Sequence, residues 1–266
     1  MGNDLVELRE RIQFARDETK ALKSEIEGWA RTAFALRPTF TIDAGAPNTT
    51  SAGTAKIYAV QTAEVPTSIR AKAGVIANEL RSILDGLACQ LATRNSRSTR
   101  NVYFPISKSK AIFESDGVRK IKDLSKADQQ TIVDLKPYRE ASPLLFGLHE
   151  ADRTRKHTRL MGCAGAPGSI VLGNAIRLTD TSHTDFKSVI IDGFDASNLH
   201  IRGAPDLGSA PLGIPVLLAT GVPVGMPFGW SPSVAYQEPQ ELAREEVITT
   251  LQRFADTVEA IVAKFE

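Results

Sequence analysis

Residues 5–36 carry a largely apolar repeat with steps of three and four residues, and this repeat constrains the fold most. Its positions are Leu5, Leu8, Ile12, Ala15, Thr19, Leu22, Ile26, Trp29, Ala33 and Leu36. Such spacing places these side chains on one face of an α-helix. Asn3 or Asp4 would cap this helix and Pro38 would end it. The face predicts either packing inside the chain's own helical bundle or dimerisation through the seam.

Two further segments repeat the same spacing and predict long helices. The first follows Pro66 and steps through Ile69, Ala73, Ile76, Leu80, Ile83 and Leu87. The second begins near Pro239 and steps through Val247, Leu251, Phe254, Val258, Ile261 and Phe265. A short helix is expected over residues 125–135, with Ser125 as its cap.

A third substantial helix is expected from Ser142 to about Gly162, with Pro143 in its first turn, where a missing N–H costs nothing. Its apolar stripe begins with leucines and continues as charged side chains. The stripe consists of Leu145, Leu148, Asp152, Arg155 and Arg159. A stripe that changes from leucine to charge either leaves the core or enters a polar site.

The remaining sequence predicts strands. Residues 39–43 and 55–65 flank a turn-rich run, so we expect a hairpin between two long helices. Residues 162–239 contain 11 of the 19 glycines and 8 of the 14 prolines. Short apolar runs lie between these turn signals, which predicts a small antiparallel sheet with irregular loops.

The expected fold class is α+β, with a bundle of three or four long helices and a small antiparallel β section inserted before the C-terminal helix. Residues 1–163 would form the helical bundle, with a hairpin near 39–65. Residues 164–238 would form the Gly/Pro-rich β section. Residues 239–266 would form a helix that packs back on the bundle.

Charge is unevenly distributed, although the formal net charge is only +1. Residues 94–160 contain 15 Lys and Arg against 8 Asp and Glu, whereas residues 161–266 contain 6 against 12. The basic centre would either bind phosphate, including that of RNA, or face the acidic C-terminal part of the same molecule. The sequence leaves both alternatives open.

The sequence predicts a cytoplasmic protein without a membrane partner. The first residues lead into a charged helix and lack the apolar core of a signal peptide. No window approaches 18 consecutive apolar residues, which a spanning helix needs. Cys89 and Cys163 are expected as small core residues in a reduced compartment. Neither a glycine-rich phosphate loop nor metal-ligand spacing is present, so no cofactor or metal is expected.

Polar residues on the second and third long helices form the candidate site. Asn78, Arg81 and Asp85 share one face of the second helix because they are three and four residues apart. On the third helix, Asp152 and Lys156 form an i,i+4 pair. His157 follows directly, and Arg153, Arg155 and Arg159 surround it.

Two interpretations of this cluster remain open. In the catalytic interpretation, His157 acts as a general acid or base, while Arg81, Lys156 and Arg153 stabilise phosphate charge. The supporting polar network would then comprise Asn78, Asp85, Asp152, Arg155 and Arg159. In the structural interpretation, the same side chains are an ion-pair network that holds two helices in register.

Four segments of the chain resemble motifs of a widespread group of uncharacterised bacterial proteins. The group reads roughly N-L-R-S-x-L-D, F-P-I, P-Y and D-x-x-x-K-H, and this chain has the counterparts at 78–85, 104–106, 137–138 and 152–157. Order and spacing agree over residues 70–160. The chain departs from the group at Glu79, Gly86, Arg155 and Thr158. The resemblance supports the candidate site on the second and third long helices, but it implies no activity.

A more distant similarity is to HEPN-type helical domains, many of which are dimeric RNases of toxin and phage-defence systems. Those domains carry Arg-x(4–6)-His on a helix. Arg153 and His157 are separated by only three residues, and the pair that fits the spacing, Arg177 and His183, lies in a predicted strand-and-turn region. The similarity implies a metal-independent ribonuclease with a non-standard Arg–His pair.

Two functional hypotheses follow. The first is a non-enzymatic helical scaffold or small-ligand binder that homo-oligomerises. The second is a HEPN-like RNA-binding or RNA-cleaving protein. Whether the chain is an enzyme depends on which interpretation of the polar cluster holds, because a helical bundle by itself decides no function.

Overall fold

The computed structural model describes residues 5–42, 53–157, 160–172, 176–179, 183–185, 190–191, 194–195, 199–203 and 215–266. The chain is α+β, as the sequence predicts, and it divides into two compact units. The helical unit comprises Met1–Lys23, Thr67–Gly162 and Glu238–Glu266. The sheet unit comprises Ser24–Pro66 and Cys163–Gln237.

The described residues form six α-helices. They are α1 (Val6–Ala33), α2 (Thr67–Arg94), α3 (Lys110–Ile112), α4 (Lys126–Asp134), α5 (Pro143–His157) and α6 (Val247–Val262). A π-turn, Phe113–Gly117, and a 3-10 turn, Val118–Ile121, continue α3. Two more 3-10 turns, Gln240–Leu242 and Ala263–Phe265, flank α6.

The N-terminal seam is buried within the chain. In the helical unit, Leu5, Leu8, Ile12, Ala15, Thr19 and Leu22 are at most 3% exposed. Ion pairs at 2.7 Å join the same stretch of α1 to its neighbours: Arg11 binds Glu79 on α2, and Arg16 binds Asp256 and Glu259 on α6. Residues 5–22 of the apolar repeat therefore pack inside the chain, which is one of the two alternatives that the sequence left open; the other was dimerisation.

Three helix boundaries differ from the expectation. The first helix ends at Ala33, because Phe34–Ile42 forms a strand instead of continuing to Pro38. The helix α5 ends at His157, and residues 160–162 are not helical. The last helix begins at Val247 and not near Pro239, since the Glu246 carboxylate caps it by accepting a hydrogen bond from the Thr249 N–H at 2.6 Å.

Ten strands are described. They are β1 (Phe34–Ile42), β2 (Gly53–Gln61), β3 (Cys163–Leu172), β4 (Ile176–Thr179), β5 (His183–Asp185), β6 (Ile190–Ile191), β7 (Phe194–Asp195), β8 (His200–Gly203), β9 (Pro215–Pro223) and β10 (Phe228–Tyr236). They form antiparallel sheets of order β1-β2-β9-β8-β5, β10-β3-β4 and β6-β7.

The expected hairpin is present as the antiparallel pair β1–β2, with Phe34 opposite Gln61. Its strand β2 also pairs with β9, so the hairpin shares a sheet with strands of the Gly/Pro-rich section. The strand β1 lies at the sheet edge, where Pro38 is tolerated because an edge residue needs no second partner for its backbone. In the described ranges, no helix is long and apolar enough to cross a bilayer.

Candidate functional site

Polar side chains of α2 and α5 meet inside the helical unit. The Asn78 Nδ2 donates a hydrogen bond to Asp152 Oδ1 at 2.5 Å. The other carboxylate oxygen of Asp152 accepts a hydrogen bond from Lys156 Nζ at 2.8 Å. The Asp152 side chain is only 8% exposed, whereas that of Lys156 is 50% exposed. Asp152 is therefore a buried acid that joins two helices, and Lys156 supplies its countercharge from the solvent side.

A second set of contacts joins α2 to the segment around Phe104. The guanidinium of Arg81 lies 2.7 Å from Asp85 Oδ1, and its Nη2 donates a hydrogen bond to the Phe104 carbonyl at 3.0 Å. The backbone N–H of Phe104 donates to the same Asp85 oxygen at 2.9 Å. Because the Arg81 side chain is only 7% exposed, its charge is committed to these internal partners.

The segments that carry the resemblance lie beside one another in the helical unit. The Ser107 N–H, directly after residues 104–106, donates to the Pro137 carbonyl at 3.0 Å, and the Arg139 N–H donates to the Ser107 carbonyl at 3.1 Å. These bonds form a parallel bridge between Ser107 and Tyr138. The Phe104 segment is thus fixed on one side by α2 and on the other by residues 137–139.

The remaining candidates on α5 have separate surroundings. The Arg153 guanidinium binds the buried carboxylate of Glu150 at 2.5 Å and keeps about half of its side chain exposed. The aliphatic part of the Arg155 side chain lies against Gly74 of α2. A Cβ added at Gly74 would be only 3.1 Å from Arg155 Cδ. His157 is the last residue of α5, and its side chain lies outside the described part, as does Arg159.

The pair that fits the HEPN spacing lies in the sheet unit. Arg177 belongs to β4 and His183 to β5. These strands belong to different sheets. Neither residue lies on a helix, where the HEPN motif has its arginine and histidine.

The structure adds a residue that the sequence analysis did not select, His149 on α5. Burial lowers the pKa of His149 from 6.5 to about 4, and the nearby charge of Arg81 adds to this effect while Asp152 opposes it. Its Nδ1 is buried and has no hydrogen-bond partner among the described residues. The imidazole is therefore neutral near pH 7. The signal in the sequence was its position three residues before Asp152, which places both on one face of α5.

The cluster contains the donors and acceptors that an acid–base site needs, but its carboxylates already bind other groups of the protein. Each of Asp85 and Asp152 contacts two neighbours inside the protein, and Arg81 is enclosed. Within the described ranges, no group of three or more His, Cys, Asp or Glu side chains is placed to hold a metal ion. Among the described cations of the cluster, Arg153, Arg155 and Lys156 are exposed.

Comparison with protein-family models, with curated proteins and with solved structures finds no match for this chain. The interpretation of the cluster therefore rests on its own contacts.

Proposed function

We propose that this chain is a non-enzymatic helical scaffold or small-ligand binder. The observation that supports it most is that the buried acid Asp152 and the part-buried acid Asp85 each bind two neighbours. Asp152 joins Asn78 on α2 to Lys156 on α5, and Asp85 joins Arg81 to the Phe104 backbone. Networks of this kind hold segments in register, and a buried charge that loses its partner is costly.

A HEPN-like RNA-binding or RNA-cleaving protein is the second candidate. The excess of basic residues between 94 and 160 favours it, and Arg153 and Lys156 keep about half of their side chains exposed. Against it stands Arg81, because an arginine that is 7% exposed and bound to Asp85 would have to leave these partners to bind phosphate.

Homo-oligomerisation and a cytoplasmic location belong to the same proposal. A dimer would use a face other than the buried seam of α1 in the helical unit. A reducing compartment agrees with Cys89 and Cys163, which no disulfide joins. Native mass spectrometry of the gently purified chain, with the ratio of absorbance at 260 and 280 nm, reports oligomer, bound nucleic acid and bound small molecule together.

The decisive experiment is an RNA-cleavage assay without added metal. It compares the wild type with His157→Ala and with the control His200→Ala. We expect no cleavage from any of the three, together with a marked loss of stability in Asn78→Ala. Cleavage by the wild type that His157→Ala abolishes and His200→Ala retains would overturn the proposal in favour of the ribonuclease.

A further inference from the structure

A basic cavity lies in the helical unit near the end of α2. Its volume is about 230 Å³, and its lining comprises Arg100, Asn101, Arg119, Lys120, Lys122 and Asp123. Four of these six residues are cations and one is an acid. Two short segments supply them: residues 100–101, which follow α2, and residues 119–123, in and after the 3-10 turn Val118–Ile121.

Hydrogen bonds to the backbone fix the segment that carries Lys122 and Asp123. The Asn95 Nδ2 donates to the Asp123 carbonyl at 2.9 Å and so joins the end of α2 to the second segment. The Gln129 Nε2, on α4, donates to the carbonyls of Lys122 at 3.2 Å and Leu124 at 2.8 Å. Buried Ile121 lies within the same segment. A backbone segment that is already fixed loses less entropy when a ligand binds beside it.

The described ion pairs of the cavity's cations are formed with an acid of their own segment. In the described part, Arg119 and Lys120 both form ion pairs with Asp116. The hydrogen bond from Lys120, together with the one from Arg119, holds the pKa of Asp116 below its usual value. The side chains of Arg100 and Lys122 have no ion-pair partner there.

Five described acids of the C-terminal segment have partners elsewhere. Glu241 lies 3.8 Å from Arg139, Asp256 and Glu259 bind Arg16, Glu245 binds Arg253, and Glu266 binds Arg9. Within the basic centre, Arg139 thus contacts the acidic C-terminal segment. At the cavity, the four lining cations outnumber the described acids beside them, Asp116 and Asp123.

We infer that this cavity binds a phosphate-bearing small molecule. Guanidinium and ammonium groups recognise phosphate oxygens through charge-assisted hydrogen bonds, and four such groups line this one cavity. The volume is below the range of about 300–1,000 Å³ that is typical of pockets for larger organic ligands. It favours a compact anion such as a diphosphate group over a nucleic-acid strand, which needs an extended groove. This inference rests on the proposed small-ligand binding, since it specifies compact phosphate-bearing anions as the class of ligand.

The test is calorimetric titration of the full-length chain with inorganic pyrophosphate in a phosphate-free buffer. The variant Arg100→Gln/Lys122→Gln removes two cations of the cavity. The control Lys126→Gln/Lys264→Gln removes the same charge from exposed positions of the helical unit that do not line it. We expect saturable binding that the cavity variant weakens by about tenfold or more and the control by no more than about twofold.

Three outcomes would overturn the inference. Pyrophosphate could show no saturable binding. The two double variants could weaken binding equally, which would show a general charge effect. A short single-stranded RNA could bind through Arg100 and Lys122 without being displaced by pyrophosphate, which would make the cavity part of a nucleic-acid surface. Equal melting temperatures of both double variants establish that each is folded. Failure here would remove this ligand class alone, since the RNA-cleavage assay tests the proposed function separately.

Discussion

Asp85 accepts a hydrogen bond from the backbone N–H of Phe104 at 2.9 Å, and so a carboxylate on α2 holds a segment 19 residues further along the chain. Arg81, one helical turn earlier, binds the same carboxylate and donates to the Phe104 carbonyl. Both backbone polar groups of Phe104 are thus satisfied by side chains of α2. This arrangement leaves Arg81 enclosed with Asp85 as its countercharge.

The substitution Asp85→Ala is expected to lower the free energy of unfolding by about 2–3 kcal/mol. It leaves the Arg81 charge without its partner and the Phe104 N–H without an acceptor. The value lies below that for a fully buried pair because the Asp85 side chain is 31% exposed. Urea denaturation of the full chain measures the change.

The matched control is Asp17→Ala on α1. Asp17 also forms a helical ion pair, with Lys20 at 2.9 Å, but both side chains are more than half exposed. Its removal should leave the free energy of unfolding almost unchanged, because water screens an exposed ion pair. Equal losses in the two variants would contradict the role assigned to Asp85.

The bond between Asn78 and Asp152 should give a measurable coupling energy between α2 and α5. In a double-mutant cycle of Asn78→Ala and Asp152→Ala, we expect a coupling of about 1–2 kcal/mol, because the acceptor is buried. The amide–carboxylate pair of Gln13 and Asp17 is exposed on α1 and provides the comparison. Its coupling should be close to zero. A coupling for Asn78 and Asp152 as small as this would show that the contact does not join the helices energetically.

Local patterns in the sequence predicted the helices but not all of their ends. Residue spacing placed α1 and α2, because a helix of that length must bury one face. Ser125 was predicted as a cap, and its hydroxyl does accept the Asp128 N–H at 3.1 Å. Leu36 continues the spacing of α1, yet it belongs to β1, since residues from Phe34 onward pair with β2. Pairing with a distant strand prevailed over the local pattern.

The candidate site was predictable only where its contacts are local. The spacing predicted that Arg81 and Asp85 share one face of α2 and that Asp152 and Lys156 form an i,i+4 pair. In the structure, the two residues of each pair are in contact. The binding of Arg81 and Asp85 to Phe104 depends on the path of the chain after α2, which no spacing rule gives. The burial of His149 likewise depends on tertiary neighbours. The side chain of His157 lies outside the described residues.

Gly28 offers a stabilising substitution. It lies within α1, and a Cβ added there would meet nothing within 4 Å. Gly28→Ala should raise the free energy of unfolding by about 0.5–1 kcal/mol through helix propensity. Gly165→Ala is the contrasting variant, because its Cβ would lie 2.5 Å from Phe34 Cζ and 2.7 Å from Gln61 Oε1. It should be clearly destabilising. A loss of stability in Gly28→Ala would contradict the open surroundings of this position.

His149 should make the protein less stable in mild acid. Its pKa is about 4 in the folded chain against 6.5 for an ordinary histidine, so between these values the unfolded state binds a proton that the folded state does not. Stability therefore falls as the pH falls from 6.5 to 4, by at most about 3 kcal/mol from this group. In His149→Gln, which cannot titrate there, this part of the loss should disappear.

Urea denaturation over a series of pH values, for the wild type and His149→Gln, measures the His149 contribution as the difference between the two curves. Carboxylates that titrate in the same range cancel in that difference. His200→Gln, in the sheet unit, is the control and should retain the wild-type dependence. A His149 imidazole that titrates near 6.5 by NMR, or a difference curve that stays flat between pH 6.5 and 4, would show that the folded environment does not keep this side chain neutral.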